Sequence, residues 1–463
     1  MTRRVVVVGA GITGLTLAYR LRDRDDLDVV VFEADDEPGG VIRSVRVGDL
    51  ELEAGPDSFL VRKPWAIELC RELGLGEEMV PQGSTAAQIL TPRGLLPVPA
   101  GRLGIAGSAG DLWRWTGMSV VDRLRAIAEP IVPRRRADGD ESVGSLARRR
   151  LGRGATEAIV APLLGGLSAS DIDRLSVQAT FPELARWEHE DGSLRVGVRR
   201  AIAGTSRTEA GAGSPFVTVR GGLRRIVERL EAEIGRDRVV TGRAVRGVGH
   251  DAGHDAGGFV VHTDAGAEPA DVVVVTTPAH IASQLLREVA PVASTRLATI
   301  RAASTAVALL VYPGGTAGLL PDASGFVAQR RLGLPITAAT AVSKKWPDPA
   351  FGSRAVLRAF AGGDGLDAHV DRPDEEIVER AANALTHVYG LPAPTETALV
   401  RWTGAMPHYE VGHRERVAAI AAALPRGLHV AGSSFGGVGI PDRVREANDL
   451  AERVAADGYP GSS

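Results

Sequence analysis

The N-terminus joins an apolar run to three closely spaced glycines, and this pattern constrains the fold more than any other part of the sequence. Val5 to Val8 lead directly into Gly9-Ala10-Gly11-Ile12-Thr13-Gly14. The run predicts a buried parallel strand. The first glycine permits a tight turn, the second admits a pyrophosphate, and the third lets a helix pack against the strand. Because a helix N-terminus offers free N–H groups and a partial positive charge, we expect this turn to bind phosphate.

A second apolar run and an acidic residue follow at the spacing of a dinucleotide-binding βαβ unit. Residues 27–32 are followed directly by Glu33, which lies nineteen residues after Gly14. A carboxylate at about 20 residues binds a ribose hydroxyl in such units. Arginines before an apolar run are also typical of a secretory signal peptide, but here glycines interrupt the run and no small-residue cleavage site is evident. The sequence therefore predicts a site for an ADP-containing dinucleotide.

The bulk composition excludes several classes of protein. The chain has 463 residues, too many for one core, so we expect two or three domains. Its net charge of −3 offers no general attraction for nucleic acid. No apolar run reaches the length of about 18 residues that a transmembrane helix needs. Cys70 is the only cysteine, which rules out an intramolecular disulfide and a cysteine-based metal site. We predict a cytoplasmic protein without a bound metal.

The order of predicted elements indicates that the first domain is interrupted. Residues 272–275 are continuously apolar, as expected for a strand covered on both faces of a parallel sheet, yet they lie far from the N-terminal strand in sequence. A third strand, at residues 428–431, leads into a glycine-rich turn and a predicted helix over 443–455. Two such turns at opposite ends of the chain favour a long, extended cofactor over a nicotinamide dinucleotide held by one contiguous domain.

Several motifs in the correct order resemble the flavin amine oxidase superfamily, and more specifically the bacterial protoporphyrinogen/coproporphyrinogen III oxidases. These motifs are the N-terminal glycines, Glu33-Ala34, residues 38–43, 53–59 and 162–171, Lys345-Trp346-Pro347, residues 406–413 and residues 437–442. The resemblance covers nearly the whole chain. It departs at Ser433, where many relatives carry Asp or Asn, and at His408, where the related block often has Gln.

The resemblance implies an α/β fold with an additional α domain. A Rossmann-like FAD-binding domain of the amine-oxidase type would be interrupted by a substrate domain with a mixed sheet and by a helical domain. We predict residues 1–90, 216–279 and 399–463 for the FAD-binding domain. Residues 91–108, 191–215 and 280–398 would form the substrate-binding domain, and residues 109–190 a helical domain facing a membrane or a partner.

The resemblance also implies that FAD is bound without a covalent link, and it assigns contacts residue by residue. The pyrophosphate would lie on Gly9, Ala10, Gly11, Ile12, Thr13 and Gly14, the adenosine ribose on Glu33 and Ala34, and the adenine on Val245. Gly39, Gly40 and Arg43 would line the pyrophosphate and ribityl chain, Gly55, Pro56, Asp57 and Ser58 the flavin ring, and Trp402 would lie beside that ring. Gly432, Ser433, Val438, Gly439 and Ile440 would form the C-terminal part of the site.

The implied activity is the six-electron oxidation of coproporphyrinogen III to coproporphyrin III in haem biosynthesis, with dioxygen as oxidant and peroxide as product. Hydride would pass from a meso carbon to flavin N5, so no catalytic side chain is assigned. The substrate is flat and carries propionates, so we expect an apolar slot with a cationic rim. Arg62, Lys63 and Arg358 are the candidates for that rim. Arg62 and Lys63 are equally compatible with solvated surface charges.

Three alternative functions stay open. In the first alternative, the substrate is protoporphyrinogen IX, which has vinyl groups in place of two propionates. A more distant alternative is another flavin oxidase, acting on amines or polyenes. Amine oxidases carry a lysine on the strand facing flavin N5, and residues 303–312 contain none. The third is a non-catalytic FAD-binding protein.

Two clusters of charged or polar residues have competing interpretations. Arginines at 134–136, 148–150 and 153 favour peripheral membrane contact or hand-over of product to a ferrochelatase. A solvated helix face explains them equally well. We interpret His250, His254, Asp255 and His262 as an exposed hairpin rather than as metal ligands.

Overall fold

Five parallel strands from three separate parts of the chain form the first sheet. The computed structural model describes residues 2–135, 139–204, 214–251 and 258–456. The strands lie in the order Val239–Val240, Leu27–Phe32, Arg3–Val8, Val272–Val275 and Leu428–Val430. The valines of the two central strands are almost completely buried, because helices cover one face and helices together with a small sheet cover the other. This confirms the prediction that strands from later parts of the chain join the N-terminal strands in one α/β domain.

Helices pack on both faces of this sheet and complete a Rossmann-like unit. Ile12–Leu21, Pro64–Glu72, Arg224–Ile234 and Ile440–Ala456 share one core with the odd-numbered valines of the first strand. Ala279–Leu285, Pro291–Leu297 and His413–Ala421 lie on the other face. A small antiparallel sheet of Val245–His250, Phe259–Thr263 and Gly266–Ala270 covers the same second face.

A mixed seven-stranded sheet forms the second unit. Its strands lie in the order Glu396–Pro407, Ala302–Val311, Val356–Gly362, Ala338–Ala341, Gly325–Ala328, Ala87–Thr91 and Gly94–Pro97. Only the pair formed by Gly325–Ala328 and Ala87–Thr91 is parallel. One face packs against the helix Asp374–Tyr389, and the other packs against the hairpin of Ser44–Val47 and Leu50–Glu53 from the first unit. The mixed sheet predicted for the substrate domain is confirmed.

A helical segment with its own apolar core follows the hairpin that Ala87–Thr91 and Gly94–Pro97 form in the second sheet. Its helices are Ala109–Arg114, Val120–Ile127, Val143–Leu151, Arg153–Ala155, Thr156–Gly165, Gly166–Ser168, Val177–Thr180, Pro182–Asp191 and Leu194–Ala203. The stretch Thr156–Gly165 is a π-helix and contains Pro162, which cannot donate a backbone hydrogen bond. Such stretches are frequent at functional sites.

Four arginines of this segment pair with carboxylates. Arg148 pairs with Asp173, Arg149 with Glu141 and Glu188, and Arg153 with Glu157. Arg150 is fully buried against Glu129. The chain itself thus supplies counter-charges to these four arginines, and the membrane contact and the ferrochelatase hand-over predicted for them stay predictions. Arg136 lies outside the described residues, as do His254 and Asp255.

The sheet to which each strand belongs, and the core on which each helix packs, indicate where the domains begin and end. The strand Glu396–Pro407 belongs wholly to the second sheet, and so does Ala87–Thr91. The helix Leu194–Ala203 packs on the helical segment's core through Leu194 and Val198. We therefore propose to move the predicted boundaries at 90 and 399 to the starts of those two strands, and to extend the helical domain to residue 203.

The remaining elements are short. The strands Phe59–Leu60, Phe216–Val219 and Met79–Pro81 form one small sheet, and Gly101–Arg102 pairs with Ile105–Ala106. Single helical turns lie at Gly76–Glu78, Glu129–Ile131, Thr316–Leu319, Arg330–Leu332, Val342–Lys345, Pro349–Phe351 and Asp367–His369. Within the described ranges, no helix is both long and apolar enough to span a bilayer. In the same ranges, no cluster of three or more His, Cys, Asp or Glu residues is placed to bind a metal ion.

Candidate functional site

The three N-terminal glycines have three different physical roles. Gly9 has φ +104°, and its N–H donates to the Phe32 carbonyl at 2.8 Å. A Cβ on Gly14 would lie 2.1 Å from the Gly9 carbonyl oxygen, so any side chain would separate helix from turn. A Cβ on Gly11 would meet no atom within 4 Å. Gly11 thus faces open space at the N-terminus of the helix Ile12–Leu21, where a phosphate would lie.

A second glycine pair forms the opposite wall of this groove. Gly39 bridges to Gly11, and its N–H donates to the Ala10 carbonyl at 2.8 Å. A Cβ on Gly40 would lie 3.5 Å from the Gly11 Cα. Further along, a Cβ on Gly55 would lie only 1.7 Å from the Val41 carbonyl oxygen. Three chain segments therefore converge through backbone contacts into one narrow cradle.

The predicted ribose-binding residue lies at one end of the cradle. The Glu33 carboxylate accepts the Ala10 N–H at 2.7 Å and the Asp35 N–H at 3.1 Å. The backbone just before Val245 approaches the same place, since the Arg243 N–H donates to the Glu33 carbonyl at 2.8 Å. Ala34 is exposed beside them. The structure thus brings Glu33 and Ala34 close to the segment that leads into Val245, and the contacts of all three residues with adenosine stay predictions.

The C-terminal glycine turn closes the other end. Gly432 has φ +128°, and its N–H donates to the Glu446 carboxylate at 2.8 Å. Val438 is 48% exposed, and Ile440 begins the helix Ile440–Ala456. The predicted start of this helix at residue 443 is three residues late, because Pro441 and Asp442 are good residues for a first helical turn.

Trp402 joins the second sheet to the cradle. Its indole N–H donates to the Ala54 carbonyl at 2.9 Å, next to Gly55. The Arg43 guanidinium lies 6.0 Å from the indole centroid and also pairs with Asp35 at 2.9 Å. The indole therefore contacts the segment assigned to the flavin ring, and its position beside the ring itself stays a prediction.

Asp57 is the centre of a buried charge cluster that sequence reasoning missed. Its carboxylate contacts the Lys345 Nζ at 2.7 Å, the Arg358 guanidinium at 3.2 Å and the Trp346 indole N–H at 3.2 Å. Burial would raise the pKa of Asp57, but the two cations outweigh it and hold that pKa well below its usual range. The Lys345-Trp346 motif was visible in the sequence, but its partner lies nearly 300 residues away.

Glu53 is a partly buried carboxyl four residues before Asp57. It accepts hydrogen bonds from the Leu223 N–H and from the Ser44 hydroxyl. Burial raises its pKa to about 7, and its hydrogen bond from Leu223 only partly opposes that effect. Glu53 is therefore a carboxyl that changes charge near neutral pH.

The structure places the three predicted rim cations against carboxylates of the chain. Arg62 contacts Glu183 at 3.4 Å, and the Lys63 Nζ lies 2.7 Å from Asp442. Arg358 is 4% exposed and pairs with Asp57 below the surface. Their contacts with propionates stay predictions. The burial of Arg358 argues against a contact between this residue and a propionate, because a residue on the rim must reach solvent.

A small cavity of about 110 Å³, open to solvent on one side, lies between the helical segment and the second sheet. Small residues dominate its lining, including Gly165, Gly166, Gly362 and Gly363. Two groups that sequence reasoning missed, Arg330 and His369, also line it, and no carboxylate side chain does so among the described residues. The Arg330 side chain donates to the Asp364 backbone carbonyl at 3.3 Å. The cavity therefore offers Arg330 as a charged hydrogen-bond donor for a carboxylate group of a ligand.

Comparison with known proteins gives full-length matches. The family described as flavin containing amine oxidoreductase matches residues 12–455. Coproporphyrinogen III oxidase of Bacillus subtilis is 33% identical, with 96% of each chain covered. The enzyme of the same name from Staphylococcus aureus is 32% identical over 99% of this chain and 100% of its own. Chloroplastic protoporphyrinogen oxidase of Oryza sativa subsp. japonica is 26% identical over 97% of this chain and 88% of its own.

Solved structures show the same fold. A crystal structure from Exiguobacterium sp. 255-15, provisionally named a protoporphyrinogen oxidase, superposes with a TM-score of 0.89 at 30% identity, covering 99% of this chain and all of the other. Cyclohexylamine oxidase of Brevibacterium oxydans gives 0.69 at 19% identity, covering 98% of this chain and all of the other. The second likeness concerns the fold alone.

The groove supports a paired test of the cofactor site. Gly14→Ala should destabilise the fold by about 1–3 kcal/mol or more, because its Cβ meets a backbone oxygen that has no room to move. Gly11→Ala should fold normally, because Gly11 has φ −71° and open space around it. Its methyl group should nevertheless weaken FAD binding at least tenfold, about 1.4 kcal/mol. Thermal unfolding of the apoprotein and FAD titration measure the two effects. A Gly11→Ala variant with unchanged FAD affinity would contradict the assignment.

Glu53 generates a pH-dependent prediction. The folded carboxyl keeps its proton up to pH about 7, whereas the ordinary value is 4.5, so the folded state binds more protons between these pH values and stability falls as pH rises. Glu53→Gln removes this loss and should stabilise the apoprotein at pH 8 by up to about 3 kcal/mol, with little gain at pH 4.5. Urea unfolding at the two pH values measures it. Glu51→Gln, at an exposed site, is the control. A Glu53→Gln variant less stable than wild type at pH 8 would refute the interpretation.

Proposed function

The chain belongs to the flavin-containing amine oxidoreductase family, and we propose that it is an FAD-dependent coproporphyrinogen III oxidase of haem biosynthesis. It oxidises a porphyrinogen, withdrawing six electrons to give the aromatic porphyrin, with dioxygen as oxidant and peroxide as product. One observation carries the proposal. The match to the coproporphyrinogen III oxidase of Bacillus subtilis covers 96% of both chains, so the matched region includes the cradle, the cavity and both sheets.

The chain's own residues bind and orient rather than transfer protons. FAD, when bound, supplies the redox chemistry by accepting hydride at its ring. The groove between Gly11 and Gly40 would hold the pyrophosphate, and the Glu33 carboxylate the adenosine ribose. The Asp57–Lys345–Arg358 cluster holds the segment 55–58 against the second sheet. No catalytic side chain is assigned, because aromatisation of the macrocycle drives the loss of its pyrrole protons.

Coproporphyrinogen III is favoured over protoporphyrinogen IX by charge. It carries two more propionates, and the cavity offers Arg330 and His369 without an opposing carboxylate in its described lining. A propionate would pair with the Arg330 guanidinium and accept a hydrogen bond from His369, whereas a vinyl group would do neither. The relatives named coproporphyrinogen III oxidase are also 31–33% identical to this chain, against 26% for the protoporphyrinogen oxidase.

Turnover of the two porphyrinogens tests this function. The purified protein should carry FAD, consume dioxygen and produce fluorescent coproporphyrin, with a higher kcat/KM for coproporphyrinogen III than for protoporphyrinogen IX. Arg330→Gln should raise KM for coproporphyrinogen at least tenfold and change KM for protoporphyrinogen less. A protein that binds FAD but oxidises neither porphyrinogen would overturn the proposal, and faster turnover of protoporphyrinogen would reverse the substrate preference.

We further propose that the protein is cytoplasmic and touches anionic membrane surfaces through its helical segment. The supporting feature is an exposed apolar set on adjacent helices, namely Trp113, Val120, Val121, Leu124 and Ile131. The Arg114 side chain, 81% exposed, lies at the edge of the set. Apolar side chains flanked by arginine suit a lipid interface. Hand-over of product to a ferrochelatase, the other prediction for this segment, stays a prediction.

Co-sedimentation with vesicles containing anionic lipid tests the membrane contact. Val121→Asp should reduce the bound fraction at least threefold. Val292→Asp, at another exposed apolar position on the first unit, should not change it. Wild-type protein that stays in the supernatant at low salt would refute the contact.

A further inference from the structure

A tyrosine hydroxyl closes the C-terminal glycine turn. The Tyr409 hydroxyl donates to the Ser433 carbonyl and accepts the Gly437 N–H at 2.8 Å. Its ring is 3% exposed, so the side chain is fixed by packing. Burial raises the pKa of Tyr409 far above its usual value, so the hydroxyl keeps the proton that it donates. One side-chain atom thus bridges the two ends of a five-residue backbone turn.

The turn's own backbone closes only its first part, where the Phe435 N–H donates to the Gly432 carbonyl at 3.1 Å. Gly437 has φ +122°, a conformation that favours glycine, and a Cβ there would lie 2.9 Å from the Asp442 Cγ. No helix or sheet ladder pairs its N–H, since the helix begins only at Ile440. Without the hydroxyl, a backbone donor and a backbone acceptor would lose their partner, which is costly for buried groups.

His413 contacts both the tyrosine and the turn: its ring packs against Tyr409, and its ring nitrogen reaches the middle of the turn. The two rings stack at 4.1 Å between centroids with 12° between planes. The His413 Nε2–H donates to the Phe435 carbonyl at 3.3 Å, since a carbonyl oxygen only accepts. Burial lowers the pKa of His413 to about 4, so the imidazole is neutral at physiological pH. The stacked pair therefore holds three successive points of the turn: Ser433, Phe435 and Gly437.

We propose that Tyr409, supported by His413, is a positioning residue that fixes the turn 433–437, so that residues 438–440 present their backbone to the flavin ring. The inference rests on the proposed function, which supplies the FAD. It concerns how this chain holds one wall of the site, and Tyr409 does not take part in the chemistry. A loosened turn would let the wall move away from the ring and release the cofactor faster.

The experiment compares three tyrosine-to-phenylalanine variants of the FAD-loaded protein. Tyr409→Phe removes the bridging hydroxyl and keeps the ring. Tyr312→Phe and Tyr389→Phe remove hydroxyls that are also buried but have no hydrogen-bond partner in the described structure. The rate of FAD release, read as free FAD fluorescence after dilution, should rise at least tenfold for Tyr409→Phe and less than twofold for the controls. The visible flavin absorption bands should shift only in Tyr409→Phe.

The outcomes separate this inference from the proposed function. A wild-type protein that binds no FAD would overturn both. FAD-loaded Tyr409→Phe with wild-type release rate and flavin spectrum would overturn the positioning role alone, as would an equal increase in the two controls. If Tyr409→Phe does not fold, His413→Gln replaces it, because Gln keeps a donor for the Phe435 carbonyl but loses the stacked ring. Release of FAD should then rise at least threefold, and an unchanged rate would overturn the proposal.

Discussion

Close contact between backbones, at positions where no Cβ fits, is the constraint on which the rest of this structure depends. Gly14 touches the Gly9 carbonyl and Gly55 touches the Val41 carbonyl at distances that only a hydrogen on Cα permits. These contacts bring the first helix, the turn at 39–43 and the segment at 53–58 into one cradle. The cradle leaves Gly11 open, and that is where we propose that the pyrophosphate binds.

Buried charge then connects this cradle to the second sheet. Asp57 comes from the first unit, whereas Lys345 and Arg358 come from elements of the second. Two cations share one carboxylate, and the neighbouring Glu53 carboxyl has a pKa near neutrality. Breaking any partner would leave an unpaired charge in the interior, which is strongly destabilising. The cluster therefore fixes the second sheet relative to the segment assigned to the flavin ring.

The path of the chain also explains how two ends of the sequence share one site. The strand Leu428–Val430 returns to the sheet begun by Arg3–Val8, so its glycine turn lies at the same carboxyl edge as the N-terminal one. Crevices at that edge are where open α/β sheets bind ligands. Tyr409 and His413 then determine the shape of the returning turn, and the cavity beside the π-helical stretch lies next to the second sheet.

The sequence by itself determined the phosphate-binding turn, the βαβ start, the interrupted first domain and the resemblance that named the family, because each depends on short-range spacing or on motif order. It did not determine what the charged side chains do. Arg62, Lys63 and Arg358 looked like free rim cations, yet each meets a carboxylate, and for Lys63 and Arg358 that partner lies hundreds of residues away. The roles of Glu53, Tyr409 and Arg330 were equally hidden. Burial and the choice of ion-pair partner arise only when distant segments pack together, and so the tertiary structure alone decided them.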